Sequence, residues 1–135
     1  MTSRSQPDFP ALDPATYLDL AKELASRSEA ASKRTAGDRA YYAAFLFSRD
    51  QLASKNYITP YYNEQDHQYV PETLKKQGVL GSLGNDEQRL RRARNRLTYD
   101  TRSLSGQAPP LPSLEWMLNT AQEIIDRVRA LPRRN

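Results

Sequence analysis

Apolar residues recur along this chain at intervals of three and four, and no segment alternates with a period of two. The pattern predicts helices and no strands. The first helix is expected to open at Asp13-Pro14, a capping acid followed by proline at the first helical position. It would carry Tyr17, Leu20, Ala21, Leu24 and Ala25 on one face. The stretch SEAASKRTAGD is weakly patterned, and Gly37 is expected to break the chain there. From Asp38 to Lys55 the stripe is widest. Tyr41, Ala44, Phe45, Ser48 and Leu52 share a face, which Tyr42, Leu46 and Ala53 extend sideways. So broad a stripe predicts a central helix with neighbours on two sides. Tyr41 and Tyr42 are read as core rings with hydroxyls at the edge.

Tyr57 to Gln68 is polar and aromatic-rich, and reads as a loop. Pro71 is expected to open a short helix, PETLKKQ, that Gly78 ends. GVLGSLGN reads as a turn, after which Asn85 or Asp86 would cap the next helix, with acids at its positive end. TRSLSGQAPPLP is a proline-rich connection. Ser113 then caps a last helix with Leu114, Met117, Leu118, Ala121, Ile124, Ile125, Val128 and Leu131 in one stripe, ended by Pro132. The fold predicted is all-α: an antiparallel up-and-down bundle of four long helices plus one short helix. Residues 1–12 are expected to form a flexible Pro/Ser-rich segment ahead of one helical domain over 13–135, a length that buries a real core.

Charge changes this picture locally. Five arginines fall between Arg89 and Arg96, in RLRRARNRLTYD. Six arginines against one acid, Asp100, give residues 89–102 a net +5, more than the +4 of the whole chain. A concentrated basic patch is the footprint of a polyanion partner. On the helical wheel Leu90, Ala93 and Leu97 define the buried stripe, and Arg89, Arg92 and Arg96 fall on the far side. Arg94 falls against the stripe, where a partly desolvated guanidinium needs a partner. A carboxylate within the bundle, a helix end or a phosphate would each serve.

Other chemistry is thinly supplied. The chain has no cysteine and one histidine, His67, so thiol nucleophiles, disulfides and thiolate or His-rich metal sites are excluded. No metal site and no cofactor is expected. Neither GxxxxGK[ST] nor GxGxxG occurs. No apolar run approaches a bilayer-spanning length, and the N-terminus lacks the apolar core of a signal peptide, so no membrane partner and a cytoplasmic location are expected. A lone histidine in a polar loop is ordinarily a helix-capping or surface residue.

With the helices laid out, the chain resembles a HEPN domain (higher eukaryotes and prokaryotes nucleotide-binding) from Ala15 to Leu131. The likeness rests on DRAYYAAFLFSRDQL, on His67 with the QYVPETLKKQG segment after it, and on RRARNRLTYD, in the family's order. It implies a homodimeric α-bundle, and for many members a metal-independent endoribonuclease of toxin or defence type with the motif R-x(4-6)-H. Arg94 and Asn95 match the start of that motif. The family's histidine would fall at Tyr99, Asp100 or Thr101, and none is histidine. The ending instead resembles a subfamily signature R-x-x-A-D-Y, with Thr98 in place of its Asp and Asp100 after Tyr99.

Cleavage by 2′-hydroxyl attack needs charge stabilisation at phosphate and proton transfer at two oxygens. The resemblance gives Arg94, paired with its twin across the dimer, the first task, Asn95 an orienting one, and Tyr99 proton or hydrogen-bond work. A tyrosine is a poor base at neutral pH, and loss of a general base typically costs about 10²–10⁴ in rate. His67 and Asp100 are second-tier candidates. Arg91, Arg92, Arg96 and Arg102 would hold the RNA backbone. The implied partners are RNA, a second copy and a small nucleotidyltransferase antitoxin, for which Tyr99 is a candidate modified residue. The alternative is an inactive HEPN-like module that binds RNA, a nucleotide or a partner protein.

Overall fold

The computed structural model describes residues 8–135. These form five α-helices and one 3-10 turn, with no strand among the described residues. They are α1 (Thr16–Ala25), α2 (Ala30–Ser54), α3 (Asp66–Lys75), the 3-10 turn Gly78–Leu80, α4 (Gly81–Tyr99) and α5 (Leu114–Arg129). Residues 1–7 of the expected N-terminal segment lie outside the described residues. Residues 8–12 are exposed and non-helical.

As its broad stripe predicts, α2 is central and packs against α1, α4 and α5, while α3 lies mainly on α4. Tyr41, Ala44, Phe45, Ser48 and Leu52 are all buried, with Tyr42, Leu46 and Ala53 packed partly buried beside them. Met117, Ala121, Ile124, Ile125 and Val128 of α5 complete the core. Ser113 caps α5 as expected, its hydroxyl accepting from Trp116 N at 3.0 Å.

Several boundaries differ from the pattern's prediction. Gly37 does not break the chain. It lies inside α2, where a Cβ would come within 2.4 Å of Leu97 Cδ1. The glycine faces the flexible ends of Leu97 on α4 and Met117 on α5, and the alanines and long polar residues before it favour helix. Helix α3 starts at Asp66, five residues before the proline expected to open it, so Pro71 is internal. The buried Asp66 carboxylate accepts from Tyr61 N at 3.0 Å and Tyr62 N at 2.8 Å, which secures the chain entering α3. At ten residues α3 equals α1 in length, so the division into four long helices and one short one does not hold.

The predicted turn over GVLGSLGN is one turn of 3-10 helix and the start of α4, so Asn85 and Asp86 are internal and cap nothing. Gly84 sits inside this helix for a packing reason, against its own low helix propensity. A Cβ on it would meet the Pro71 carbonyl oxygen at 2.4 Å, so glycine lets α3 and α4 touch. In α1 the buried face is Leu18 and Ala21, whereas Leu20 is 40% exposed. Asp13 caps the turn that leads into α1, two residues ahead of the α-helical boundary at Ala15: its carboxylate accepts from Ala15 N at 3.0 Å and its carbonyl from Thr16 N at 3.0 Å.

Candidate functional site

Helices α2 and α4 meet along a polar seam. Asp38 faces Arg94 at one end, and Ser48 faces Glu87 at the other. The reason is spacing: Glu87, Arg91 and Arg94 recur at four and three residues on one face of α4, beside the apolar Leu90–Ala93–Leu97 stripe. Arg94, predicted to lie against the stripe and need a partner, does both. Its side chain is 17% exposed, and Nε donates to Asp38 Oδ1 at 2.6 Å. Nη1 donates to Asn95 Oδ1 at 2.9 Å. The guanidinium lies 5.1 Å from the Tyr42 ring centroid and 5.6 Å from that of Tyr99. Burial works against its charge, but the Asp38 bond and the nearby Tyr42, Asp38 and Tyr99 outweigh this and hold its pKa above the usual arginine value.

Asp38 is a shared acceptor. Arg39 Nε donates to its Oδ2 at 2.9 Å, and Thr98 Oγ1 to its Oδ1 at 3.4 Å. Arg39 also lies 4.9 Å from the Tyr17 ring and 5.3 Å from that of Tyr42. Asp38, Arg39 and Arg94 line a surface cleft of about 440 Å³ with Arg34, Thr35 and Thr98. Arg34 closes the C-terminal end of α4, donating to the carbonyls of Leu97 at 3.1 Å, Arg102 at 2.9 Å and Asp100. A cation on terminal carbonyls is the stabilising arrangement there.

The other expected site residues divide. Tyr99 is 75% exposed at the end of α4, and with Asn95, Arg96, Asp100 and Arg102 it lines a second cleft. Asp100 grips Arg102 through Nε at 2.9 Å and Nη2 at 2.8 Å, which pulls the Asp100 carboxyl down to about 2 and raises Arg102. Arg102 is therefore engaged within its own loop. Arg89 and Arg96, placed on the far side by the wheel, are not merely solvated. Arg96 Nη1 donates to the Pro109 carbonyl, and Arg89 lies 4.4 Å from the Trp116 ring centroid.

His67 is the first-turn residue of α3 and stacks on Phe45, with centroids 4.3 Å apart. Its Nδ1 shares a short hydrogen bond with the buried Tyr41 hydroxyl. Burial, then Arg91 and Arg94, lower its pKa, so the ring is neutral at pH 7. Tyr42 touches both His67, 6.1 Å away, and Arg94. His67 nevertheless opens on another cleft, of about 260 Å³, with Gln68, Gln88, Arg91 and Arg92. It does not line the Arg94 cleft.

Below these, Tyr41 is buried so deeply that its phenol keeps its proton far above the usual range. Glu87 is wholly buried, and burial raises its carboxyl to about 8, with Ser48 Oγ donating to Oε2 at 3.1 Å and Oε1 unpartnered among the described residues. Reading the α4 wheel about Leu90 singled out neither Glu87 on its own helix nor Arg34, Asp38 and Arg39 on α2. The signal for Glu87 was present, since it lies seven residues before Arg94 on the same face. No group of three metal-ligating side chains and no helix long and apolar enough to cross a membrane occurs among the described residues. No family model, curated protein or solved structure matches the chain.

Proposed function

We propose that this chain is a HEPN-type module that forms an antiparallel bundle, pairs with a second copy and engages RNA, cutting it without metal at a site centred on Arg94. The carrying observation is the set of Arg94 contacts. A guanidinium bonded to Asp38 and Asn95 and flanked by the Tyr42 and Tyr99 rings is held in one orientation at the surface. Preorganised charge is what a developing phosphorane requires.

In this reading Arg94 meets the non-bridging oxygens of the scissile phosphate. The 2′-oxygen bonds to phosphorus as the bond to the 5′-oxygen breaks, leaving a 2′,3′-cyclic phosphate. One proton leaves the 2′-hydroxyl and one reaches the 5′-oxygen. Exposed Tyr99, its ring centroid 5.6 Å from the Arg94 guanidinium, takes the proton or hydrogen-bond role, Asn95 orients the guanidinium, and Arg91, Arg92 and Arg96 bind the phosphates of the RNA. A small nucleotidyltransferase acting on Tyr99 would be the matching antitoxin. One observation favours binding without cleavage: His67, the chain's one imidazole, opens on a different cleft from Arg94.

The test is incubation of labelled mixed-sequence RNA with the protein in EDTA, beside Arg94→Ala, Tyr99→Phe and His67→Ala. The expected result is cleavage with cyclic phosphate ends that Arg94→Ala abolishes. RNA binding with no cleavage above the Arg94→Ala level would leave the binding module and remove the enzyme. Absence of salt-sensitive RNA binding would remove both.

A further inference from the structure

Six arginines lie between residues 89 and 102. Arg89, Arg94, Arg96 and Arg102 each have an acceptor or ring partner. Arg91 and Arg92 have no hydrogen-bond, ion-pair or ring partner among the described residues, yet both line the cleft on which His67 opens. The remaining lining, Gln68 and Gln88, is carboxamide, and no carboxylate lines it. Gln88 gives one N–H to Glu72 at 3.3 Å and has a second.

The two guanidiniums and the two carboxamides of this cleft therefore supply N–H donors, and no charged acceptor lines it. The arrangement is built, because Gly84 lets α4 touch Pro71 and Lys75 of α3, which sets His67 and Gln68 beside Gln88 and Arg91. The imidazole is held from α2 by Tyr41, Tyr42 and Phe45. From α4 it feels Arg91 and Arg94, and on its own segment Glu64 and Asp66.

We infer that the cleft formed by His67, Gln68, Gln88, Arg91 and Arg92 is a subsite for a terminal phosphate monoester, the end group of an RNA strand or nucleotide. Two unpartnered guanidiniums match the charge of a monoester dianion, about −1.5 to −2 at pH 7. A single internal phosphodiester seated in the cleft brings one charge and would leave one guanidinium without a counterpart. Paired forks from Arg91 and Arg92 suit three terminal oxygens, and the carboxamides complete the shell. The inference rests on the reading of Arg91 and Arg92 as polyanion-binding residues and says which part of the polyanion they take.

His67 is the chain's one histidine, so its ring resonances report on this cleft without ambiguity. The experiment follows them by NMR during titration with inorganic phosphate, with a 5′-phosphorylated 2′-O-methyl hexanucleotide, and with the same oligomer bearing a 5′-hydroxyl. The 2′-O-methyl groups prevent cleavage. The expected result is that phosphate and the phosphorylated oligomer shift the His67 signals and raise its apparent pKa. The 5′-hydroxyl oligomer should bind at least about tenfold more weakly, the loss of one charge-assisted contact or more. Arg91→Ala/Arg92→Ala should abolish the shifts, and Arg91→Lys/Arg92→Lys, which keeps charge without the fork, should restore part of them. Equal binding of both oligomers with equal shifts would overturn the monoester subsite and leave RNA engagement standing. Phosphate binding that leaves His67 unmoved would also overturn it. Failure of every probe would sink RNA engagement as well.

Discussion

Arg91 and Arg94 stand three residues apart on one helix, yet their surroundings are opposite. Arg94 is sunk at the α2–α4 seam, bonded to Asp38 and framed by two aromatic rings. Arg91 opens with Arg92 onto a cleft of donors without a single acid. The chain satisfies one arginine internally and leaves its neighbour unsatisfied. A satisfied guanidinium is a structural element first and a reagent second. An unsatisfied one, held beside another, contributes little to the fold and is available to an anion. The difference predicts that changes in the seam act on stability, and changes in the cleft act on binding.

The largest effect should come from the seam's buried acid. Glu87 holds its proton up to about 8, against 4.5 in an open chain. Between those values the folded state binds the extra proton, so this group's stabilisation is fully present below pH 4.5 and lost as pH rises through 8. Glu87→Gln should remove that slope and stabilise the protein at high pH by up to roughly 5 kcal/mol. Urea denaturation of both proteins across this range measures it. His67, whose folded pKa is lowered, gives the opposite slope near neutrality, so the diagnostic quantity is the difference between the two proteins. Parallel pH profiles would mean that Glu87 is not a buried neutral acid.

Next comes Asp38→Ala. It strips the acceptor from Arg94, Arg39 and Thr98 together and leaves the mostly buried Arg94 charge without a carboxylate, bonded only to the neutral Asn95. Removing one partner of a desolvated pair costs roughly 3 kcal/mol. The double variant Asp38→Ala/Arg94→Ala should recover part of that loss in the melting temperature, because the orphaned charge is gone. Strict additivity would show that the pair is not coupled.

How much of this contrast the sequence carries depends on which helix face is considered. The widths of the α2 and α5 stripes announced a central helix and its partner, because burial on two sides requires apolar residues on two sides. Arg94's need for a partner was legible from its angle to Leu90 and Leu97. Asp38 was not legible as that partner, because Gly37 beside it suggested a chain break. A glycine that admits a neighbouring helix and one that ends its own helix look alike until the neighbour is placed. Pro71 misled for a similar reason: Asp66, whose carboxylate holds the backbone ahead of α3, sits where the composition reads as loop. The pairing of α3 with α4, which makes the His67 cleft, depends on Gly84, read as part of a turn.

Gly84→Ala tests that pairing directly. Its Cβ would meet the Pro71 carbonyl oxygen, a backbone atom, so α3 must move. Overpacking of this kind costs typically about 1–3 kcal/mol. The expected result is a lowered melting point together with a displaced His67 resonance, while the Asp38–Arg94 end of the seam keeps its coupling. An unmoved His67 signal would show that the cleft does not depend on this contact.

The smallest stability effect, and the one that separates the two arginines most sharply, is Arg91→Ala with Arg92→Ala. Neither side chain has a partner to lose, so stability should change by less than about 0.5 kcal/mol. In RNA binding the pair should matter more. The pair neutralises two charges of a terminal phosphate, and each charge neutralised on a single strand contributes about 0.7 to the slope of log affinity against log salt, so removing both should flatten it by about 1.4 for a 5′-phosphorylated strand. Arg94→Ala should behave the other way round, melting earlier because Asp38 loses a partner. Its salt slope should fall by about 0.7 at most, since Arg94's charge is already shared with Asp38. Salt titrations of RNA binding on the two variants decide it. If Arg94→Ala flattened the slope more than the double variant did, the seam arginine would be the main polyanion contact, and the division between a satisfied seam and an available cleft would be drawn at the wrong residue.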